Sequence, residues 1–223
     1  MFERIVREVL AGHKRAGDSK CNTQDWKRDY CPDRYVGRIE QVRGAADWSN
    51  VNRDSSIRRS NGRCILLVME SPHIDEYRDA RNPWPANGET GKQLRAQVHK
   101  LAASVSLNGG DGLVLLNAIN FQCSLGVPTR CFRDDVFIAA WQDETIGKKH
   151  FKERLRGWYR PELGDVIVNA CTRGCSKSRS RSLRLMVEEA IATLEPDTSR
   201  RTRRCHPCGW FRSGAVSDVS PLP

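Results

Sequence analysis

The sequence predicts an α/β protein with a short, mainly parallel sheet of four strands and helices on both faces. Three apolar runs, at residues 65–69, 113–117 and 166–169, are bounded by glycine or polar residues and are long enough only for strands. Segments with helical spacing lie between and after these runs, at 91–106, 134–159 and 182–195. Strands that alternate with helices are typical of parallel sheets, so we expect a three-layer α/β/α arrangement.

The fourth strand is expected just before His206, where the stretch "SRRTRRCHP" is too charged for its periodicity to show a strand. Residues 1–61 are interpreted as a helical and loop-rich N-terminal extension packed on an α/β core at 62–213. Its first helix is indicated by apolar residues at helical spacing, which are Phe2, Ile5, Val6, Val9 and Leu10. The tail at 214–223 is expected to be flexible.

Composition favours a basic, soluble protein that binds a polyanion. The 223 residues include 37 lysines and arginines against 27 acids, a formal net charge of +10, and many of the basic residues lie late in the chain. Nucleic acid is the simplest partner for such a chain, although a generically basic protein remains the alternative. No apolar run approaches the ~20 residues of a membrane span, and "MFERIVREVL" has charges where a signal peptide has its apolar centre, so we expect a cytoplasmic protein without a membrane partner. A monomer is expected as well.

Three polar residues stand where strands of the predicted sheet end. Glu70 follows the first strand, Asn117 ends the second, and His206 follows the fourth. Ligands of parallel sheets bind beyond the carboxyl ends of the strands, so these side chains are candidates for one site. A carboxylate can polarise water, an amide can read the edge of a base, and an imidazole can stabilise a developing oxyanion.

The order and spacing of these residues resemble those of the uracil-DNA glycosylase superfamily. "VMESPH" is similar to the first motif of that superfamily, a strand followed by Gly-Glu-Ala-Pro-Gly in the thermophile-type members. Glu70 and Pro72 match this motif, whereas Met69, Ser71 and His73 depart from it.

Further matches follow downstream, within a resemblance that covers about residues 63–213. "GETGKQL" has two glycines and a leucine at the spacing of the family, Gly88, Gly91 and Leu94. "LVLLNAIN" resembles the strand that ends in the pyrimidine-reading asparagine, here Asn117. "CHPCGWF" resembles the His-Pro-Ser motif, here with His206.

The resemblance implies a DNA glycosylase, which hydrolyses the N-glycosidic bond of a nucleotide extruded from the duplex and leaves an abasic site. Glu70 would orient water and stabilise the sugar cation, His206 would donate a hydrogen bond to the departing base, and Asn117 would hold the base edge. No lysine is placed by the motifs to form a Schiff base, so a monofunctional enzyme of base excision is expected.

The base is expected to be uracil or a modified pyrimidine. Ser71 and His73 would lie beside it, and Trp84 would stack on it, although this ring falls two residues before the position that the family uses. His73 lies closest to the position where strict uracil enzymes carry a blocking tyrosine, so a C5-modified cytosine of phage DNA is an open alternative. Such an enzyme would serve antiviral defence.

Basic segments next to the predicted site are interpreted as DNA-binding. Arginine forks interleaved with serine suit phosphate oxygens, and this pattern comprises Arg173, Lys177, Arg179 and Arg181. A second basic run precedes His206, with arginines at 200, 201, 203 and 204. Trp210, Phe211 and Arg212 follow the His-Pro pair, where the family inserts a wedge into the duplex; alternatively, Trp210 and Phe211 close the core.

No metal is expected, with two alternatives left open. Thermophile-type relatives carry an iron–sulfur cluster, and Cys123 falls near one of its ligand positions, but the other spacings are missing. A zinc site is conceivable from the pairs Cys171/Cys175 and Cys205/Cys208, whose strand ends would be neighbours. Two functions remain as alternatives to a DNA glycosylase: a catalytically silent DNA-binding module, and an N-glycosidase that acts on free nucleosides.

Overall fold

The computed structural model describes residues 1–15, 26–27, 29–48, 59, 61–125, 132–174, 182–207 and 210. Within this part of the chain a five-stranded sheet has the order β1-β3-β2-β4-β5. Its strands are β1 (Arg34–Arg38), β2 (Cys64–Met69), β3 (Gly112–Asn117), β4 (Val166–Asn169) and β5 (Arg201–Arg203). Strands β2 to β5 are parallel to their neighbours, whereas β1 is antiparallel to β3, so the sheet is mixed.

Six α-helices accompany this sheet in the described residues. They are α1 (Phe2–Arg15), α2 (Ile39–Val42), α3 (Glu89–Ala103), α4 (Arg133–Gln142), α5 (Lys148–Trp158) and α6 (Leu183–Ala192). The helical segment expected at 134–159 is divided into α4 and α5. Asp143 causes this break, because its side chain accepts hydrogen bonds from the backbone N–H groups of Thr145 and Ile146 and so forms a turn.

Side chains of the sheet alternate between two apolar cores, which confirms an α/β protein with helices on both faces. Leu66 and Val68 of β2 face the core formed with α1, α4, α5 and α6. Ile65, Leu67 and Met69 face the second core, formed with α2 and α3. All six residues of β2 are buried, as expected for a central strand of a covered sheet.

The register places the carboxyl ends of the parallel strands side by side. Met69 pairs with Asn117 across β2 and β3, and Val68 pairs with Asn169 across β2 and β4. Asn169 in turn pairs with Arg203 of β5. Residues that follow these strands, such as Glu70 and those after β5, therefore emerge at one edge of the sheet.

The N-terminal residues contribute more to the fold than an extension packed outside it. The sequence predicts the helix α1 correctly, and Phe2 of that helix stacks on Phe121 with ring centroids 4.8 Å apart. However, β1 adds a fifth strand to the expected four, with Tyr35 and Val36 buried in the two cores. This strand was missed because it is short, has an arginine at each end, and contains a bulge between Tyr35 and Gly37, where the φ of Gly37 is +111°.

Strand β5 confirms the fourth expected strand and shows why its charges do not prevent pairing. Arg203 makes two hydrogen bonds to the carboxylate of Glu188 on α6, at 2.6 and 2.7 Å. Arg204 is 1% exposed and donates to Ser104 Oγ at 2.9 Å and to Thr202. The second basic run is therefore largely used inside the fold, which contradicts its interpretation as a phosphate-binding surface at these two arginines.

None of the helices in the described residues combines the length and apolar character that a bilayer crossing requires. The tail at 214–223 lies outside the described residues.

Candidate active site

A cavity of about 360 Å³ opens at the carboxyl ends of the parallel strands. This volume falls within the ~300–1,000 Å³ of typical small-molecule sites. Its wall is formed by the end of β2 and the loop after it, the start of α3, and single residues after β4 and β5. The lining residues are Met69, Glu70, Ser71, Pro72, His73, Asp75, Glu76, Gly88, Glu89, Thr90, Ser124, Arg133, Thr172 and His206.

Glu70 is held at the cavity wall by donors from three parts of the chain. Thr172, after β4, donates a hydrogen bond to its Oε2, and Ser71 donates to its Oε1 at 3.3 Å. Arg133 at the start of α4 brings its Nε within 3.3 Å of the same Oε1. These contacts fix the carboxylate orientation, which a group that positions a water molecule requires.

Opposing influences act on the pKa of Glu70. The side chain is 5% exposed, and its burial raises the pKa above the ordinary value. The positive charge of Arg133 and the hydrogen bonds from Thr172 and Ser71 oppose this rise. The pKa of Glu70 therefore stays above its ordinary value, with Arg133 favouring the ionised form and the nearby charge of Asp134 opposing it.

His206 lies on the same cavity wall, beyond the end of β5. Burial lowers its pKa to about 4, and the positive charges of Arg133 and Arg184 act in the same direction. The imidazole is consequently neutral near pH 7, and a neutral ring carries one N–H that can donate to an oxygen.

Asn117 ends β3 next to the cavity but does not form its wall. The side chain is 1% exposed, its Nδ2 donates to Glu76 Oε2 at 3.4 Å, and its Oδ1 has no hydrogen-bond partner among the described residues. The loop after β2, which carries Glu76, covers this strand end. In this geometry Asn117 supports Glu76, and the expected direct contact of Asn117 with a base is not provided.

The end of β3 is also fixed from its other side by an arginine. Arg154 of α5 donates to the backbone oxygens of Asn117 and Ala118 at 2.8 and 3.1 Å. The same guanidinium pairs with the Asp33 carboxylate, at 2.6 Å, and both side chains are at most 10% exposed. The N-terminal segment before β1 thereby helps to hold the strand end beneath the cavity.

Glu76 is a second carboxyl on the cavity wall, to which the sequence motifs assign no role. It lies in a 3₁₀ turn at Ile74–Tyr77, is 4% exposed, and receives hydrogen bonds from Asn117 and from Cys31 Sγ at 3.7 Å. Burial raises the pKa of Glu76 to about 8, against the lowering effect of its hydrogen-bond donors. This carboxyl is therefore largely protonated at neutral pH.

Glycines of the "GETG" segment permit the close packing of the loop onto α3. A Cβ at Gly91 would collide with the backbone oxygen of Ala86 and would lie 2.8 Å from Trp48 Nε1. A Cβ at Gly88 would lie 2.9 Å from the Cβ of Asp75 on the cavity wall. The spacing of Gly88 and Gly91 thus serves this close approach of the loop to the helix.

Other residues expected in the substrate site are divided between the cavity and the core. Ser71 and His73 line the cavity, and the His73 ring, which is 41% exposed, accepts a hydrogen bond from the backbone N–H of Asp75. Trp84 does not line it: the ring is 6% exposed in the second core, beneath the Arg34 guanidinium. The prediction that Trp84 stacks on the base is therefore wrong for this conformation.

Only part of the expected DNA-binding set lies in the described residues. Arg173 is exposed just after the end of β4, close to the cavity residue Thr172. Trp210 is 2% exposed and donates to the backbone oxygen of Cys205, so it closes the second core instead of forming a wedge. The remaining members lie outside the described residues; they are Lys177, Arg179, Arg181, Phe211 and Arg212.

The described cysteines are not gathered with other potential metal ligands. No group of three potential ligands converges in the part of the chain that the structure describes. Burial raises the pKa values of the Cys123 and Cys171 thiols well above the ordinary range. Cys175 and Cys208, which complete the proposed zinc set, lie outside the described residues.

Comparisons with family models, with curated proteins and with solved structures give no match for this chain.

Proposed function

We propose that the protein is a monofunctional DNA glycosylase that removes uracil or a modified pyrimidine from DNA. The observation that carries this proposal is the convergence of Glu70 and His206, 136 positions apart in the chain, on one cavity of about 360 Å³. Both residues are those that the resemblance to the uracil-DNA glycosylase superfamily selects. A three-layer fold of the uracil-DNA glycosylase type is part of the same proposal.

The proposed mechanism assigns one task to each side chain. Glu70, oriented by Thr172 and Ser71, holds a water molecule below the sugar and stabilises the positive charge that develops as the glycosidic bond lengthens. His206 donates its single N–H to an oxygen of the departing base. A neutral imidazole suits this task, because its pKa of about 4 leaves it uncharged at the pH of the reaction.

DNA is the proposed partner because the formal net charge is +10 and Arg173 is exposed beside the cavity. Phosphate contacts would offset the few kcal/mol that unstacking a nucleotide costs. His73, at the position closest to the blocking tyrosine of strict uracil enzymes, lines the cavity, so a modified cytosine of phage DNA is the proposed alternative to uracil. In that case the enzyme would act in antiviral defence in the cytoplasm.

The test uses duplexes that contain uracil, hypoxanthine, hydroxymethylcytosine or glucosylated hydroxymethylcytosine, followed by alkaline cleavage of abasic sites. We expect strand breaks at one of these bases, and losses of at least ~100-fold in Glu70→Gln and His206→Ala, as is typical when an acid, base or oxyanion donor is removed. Glu162→Gln is the matched control, because this exposed carboxylate lies before β4, at the opposite edge of the sheet. Full activity in both site variants would refute the assignment.

Two further readouts separate the alternative functions. A catalytically silent DNA-binding module would retard the duplex in a gel without producing alkali-labile sites. An N-glycosidase for free nucleosides would release the base without polymer and with little dependence on salt, whereas binding through phosphates weakens steeply as salt rises.

A further inference from the structure

We propose that Glu76 is the general acid of this site, which protonates the departing base. This inference rests on the proposed glycosylase function and adds a catalytic residue that the sequence motifs do not contain. Its basis is the position of Glu76 on the wall of the cavity that also contains Glu70 and His206.

The surroundings of Glu76 differ from those of Glu70 in one decisive respect. Glu70 has the guanidinium of Arg133 at 3.3 Å, whereas no cationic side chain among the described residues forms an ion pair with Glu76. Burial without a counter-charge favours the protonated carboxyl. We therefore assign opposite parts to the two carboxyls: Glu70, whose ionised form Arg133 favours, holds water, and Glu76, which lacks a counter-charge, donates a proton.

The same surroundings also accept the charge that proton donation leaves behind. Asn117 Nδ2 and Cys31 Sγ donate to Glu76 Oε2, and backbone groups of Ala86 and His73 form further hydrogen bonds with the carboxyl. These donors stabilise the carboxylate without shifting position, which lowers the cost of proton transfer at the moment of reaction. Asn117 is in this sense a positioning residue, since it acts through Glu76.

The titratable groups around Glu76 belong to five segments, which are the residues before β1, the end of β2 with its loop, the start of α3, the start of α4 and the residues after β5. Cys31 precedes β1, Tyr77 follows Glu76 in the 3₁₀ turn, and the pKa values of both are raised in part by Glu76. The remaining charged or titratable groups line the same cavity as Glu76; they are Glu70, His73, Asp75, Glu89, Arg133 and His206.

The proposed step balances in atoms and charge. The bond between C1′ and the ring nitrogen breaks with its electron pair going to the base, and the base takes the proton of Glu76. Water adds to C1′ and gives one proton to Glu70. The products are a neutral base and an abasic sugar, and the proton on Glu70 returns to Glu76 through solvent.

This assignment favours a cytosine-type substrate over uracil. An aminopyrimidine forms a less stable anion than uracil does, so its departure gains more from protonation in the transition state. An enzyme in which a neutral imidazole alone faces the base would be adequate for uracil. The presence of a proton-bearing carboxyl on the same wall points to the more demanding leaving group.

The test compares the wild type, Glu76→Gln and the control Glu162→Gln in single-turnover release of two bases that differ in leaving-group acidity, 5-hydroxymethylcytosine and 5-fluorocytosine. Glutamine keeps the shape and accepts the bonds from Asn117 and Cys31 but has no acidic proton. We expect Glu76→Gln to lose ~100-fold or more on 5-hydroxymethylcytosine, the usual contribution of a general acid, and clearly less on 5-fluorocytosine. The wild-type rate should also fall above about pH 8, and this alkaline limb should be absent in Glu76→Gln.

Each outcome decides a different question. Equal losses on both bases, or an alkaline limb that persists in Glu76→Gln, would overturn the acid role and leave a structural one. Base release by the wild type with no loss in Glu76→Gln would overturn the inference while preserving the glycosylase. Absence of base release by the wild type from any duplex would overturn the proposed function, and the acid role with it.

Discussion

Replacing Arg133 by glutamine should raise the pKa of Glu70 and thereby remove its carboxylate at mildly acidic pH. The two groups are 3.3 Å apart, with side chains 16% and 5% exposed. At an effective dielectric constant of ~20, this separation corresponds to an attraction of about 5 kcal/mol, which is an upper bound of about 3.7 pKa units. Water that enters the space of the guanidinium offsets part of this loss, so we expect a rise of ~1–3 units.

The sign of the effect on activity follows from the role of the carboxylate. Glu70 holds water only in its ionised form, so activity falls as pH drops through its pKa. In the Arg133→Gln variant this acid limb should move to higher pH by the same ~1–3 units, a tenfold to thousandfold loss of rate below both pKa values. At pH values above the acid limbs of both proteins, the rates of the wild type and of Arg133→Gln should become equal.

Carbon NMR of protein labelled at the glutamate carboxyl measures this pKa without any substrate. The Glu70 signal is identified by its absence in Glu70→Gln, and the titration is repeated in Arg133→Gln. Arg203→Gln is the matched control, since it also removes an arginine from an ion pair, here with Glu188. An unchanged pKa of Glu70 in Arg133→Gln would refute the electrostatic account of this site.

Three further predictions concern stability and are measured by urea denaturation. Gly91→Ala should lower the free energy of unfolding by ~1–3 kcal/mol through its backbone collision, whereas Gly12→Ala, with open space in α1, should raise it by ~0.5–1 kcal/mol. The pKa of His206 is about 4 in the folded protein and 6.5 as a free side chain, so near pH 5 the unfolded chain binds a proton that the folded protein does not bind. Between pH 7 and pH 5 the free energy of unfolding of the wild type should therefore fall by about 2 kcal/mol more than that of His206→Asn. Arg59→Met should cost ~3–5 kcal/mol, because it leaves the Asp165 carboxylate, which is 0% exposed, without its 2.5 Å ion-pair partner. Equal stability of the two glycine variants would contradict the backbone collision. The same pH dependence in the wild type and in His206→Asn would contradict the role of His206, and a loss under 1 kcal/mol in Arg59→Met would contradict the role of the buried ion pair.

Most of the sheet could be predicted because its strands follow simple rules. Strands β2, β3 and β4 are apolar runs buried on both faces, and their length excludes helices. Strands β1 and β5 are more difficult, because edge strands with arginines lack that pattern. In β5 the strand is stabilised without an apolar pattern, by the ion pair of Arg203 with Glu188 and by backbone pairing with β4.

The residues of the candidate site also differ in how well the sequence predicts them. Glu70 and His206 could be found because each stands directly at a strand end, where chain order alone indicates convergence. Arg133 and Glu76 could not be found in this way, since one begins a helix and the other lies in a short turn. Their proximity to the cavity depends on how helix α4 and the loop after β2 pack, which local sequence patterns do not encode. Trp84 was expected to stack on the base because of its position in the sequence, but its ring is buried in the second core.

The clamp made by Arg154 and Asp33 has a consequence for protein engineering. Asp33 lies in the segment before β1, and Arg154 donates hydrogen bonds to the backbone at the end of β3. Deleting the first 33 residues would therefore remove the carboxylate that pairs with Arg154 and would expose this strand end to solvent. Cys31, which touches Glu76, would be lost in the same deletion. A shortened or chimeric version should therefore retain Cys31 and Asp33, since the segment before β1 holds both the end of β3 and Glu76 of the cavity wall.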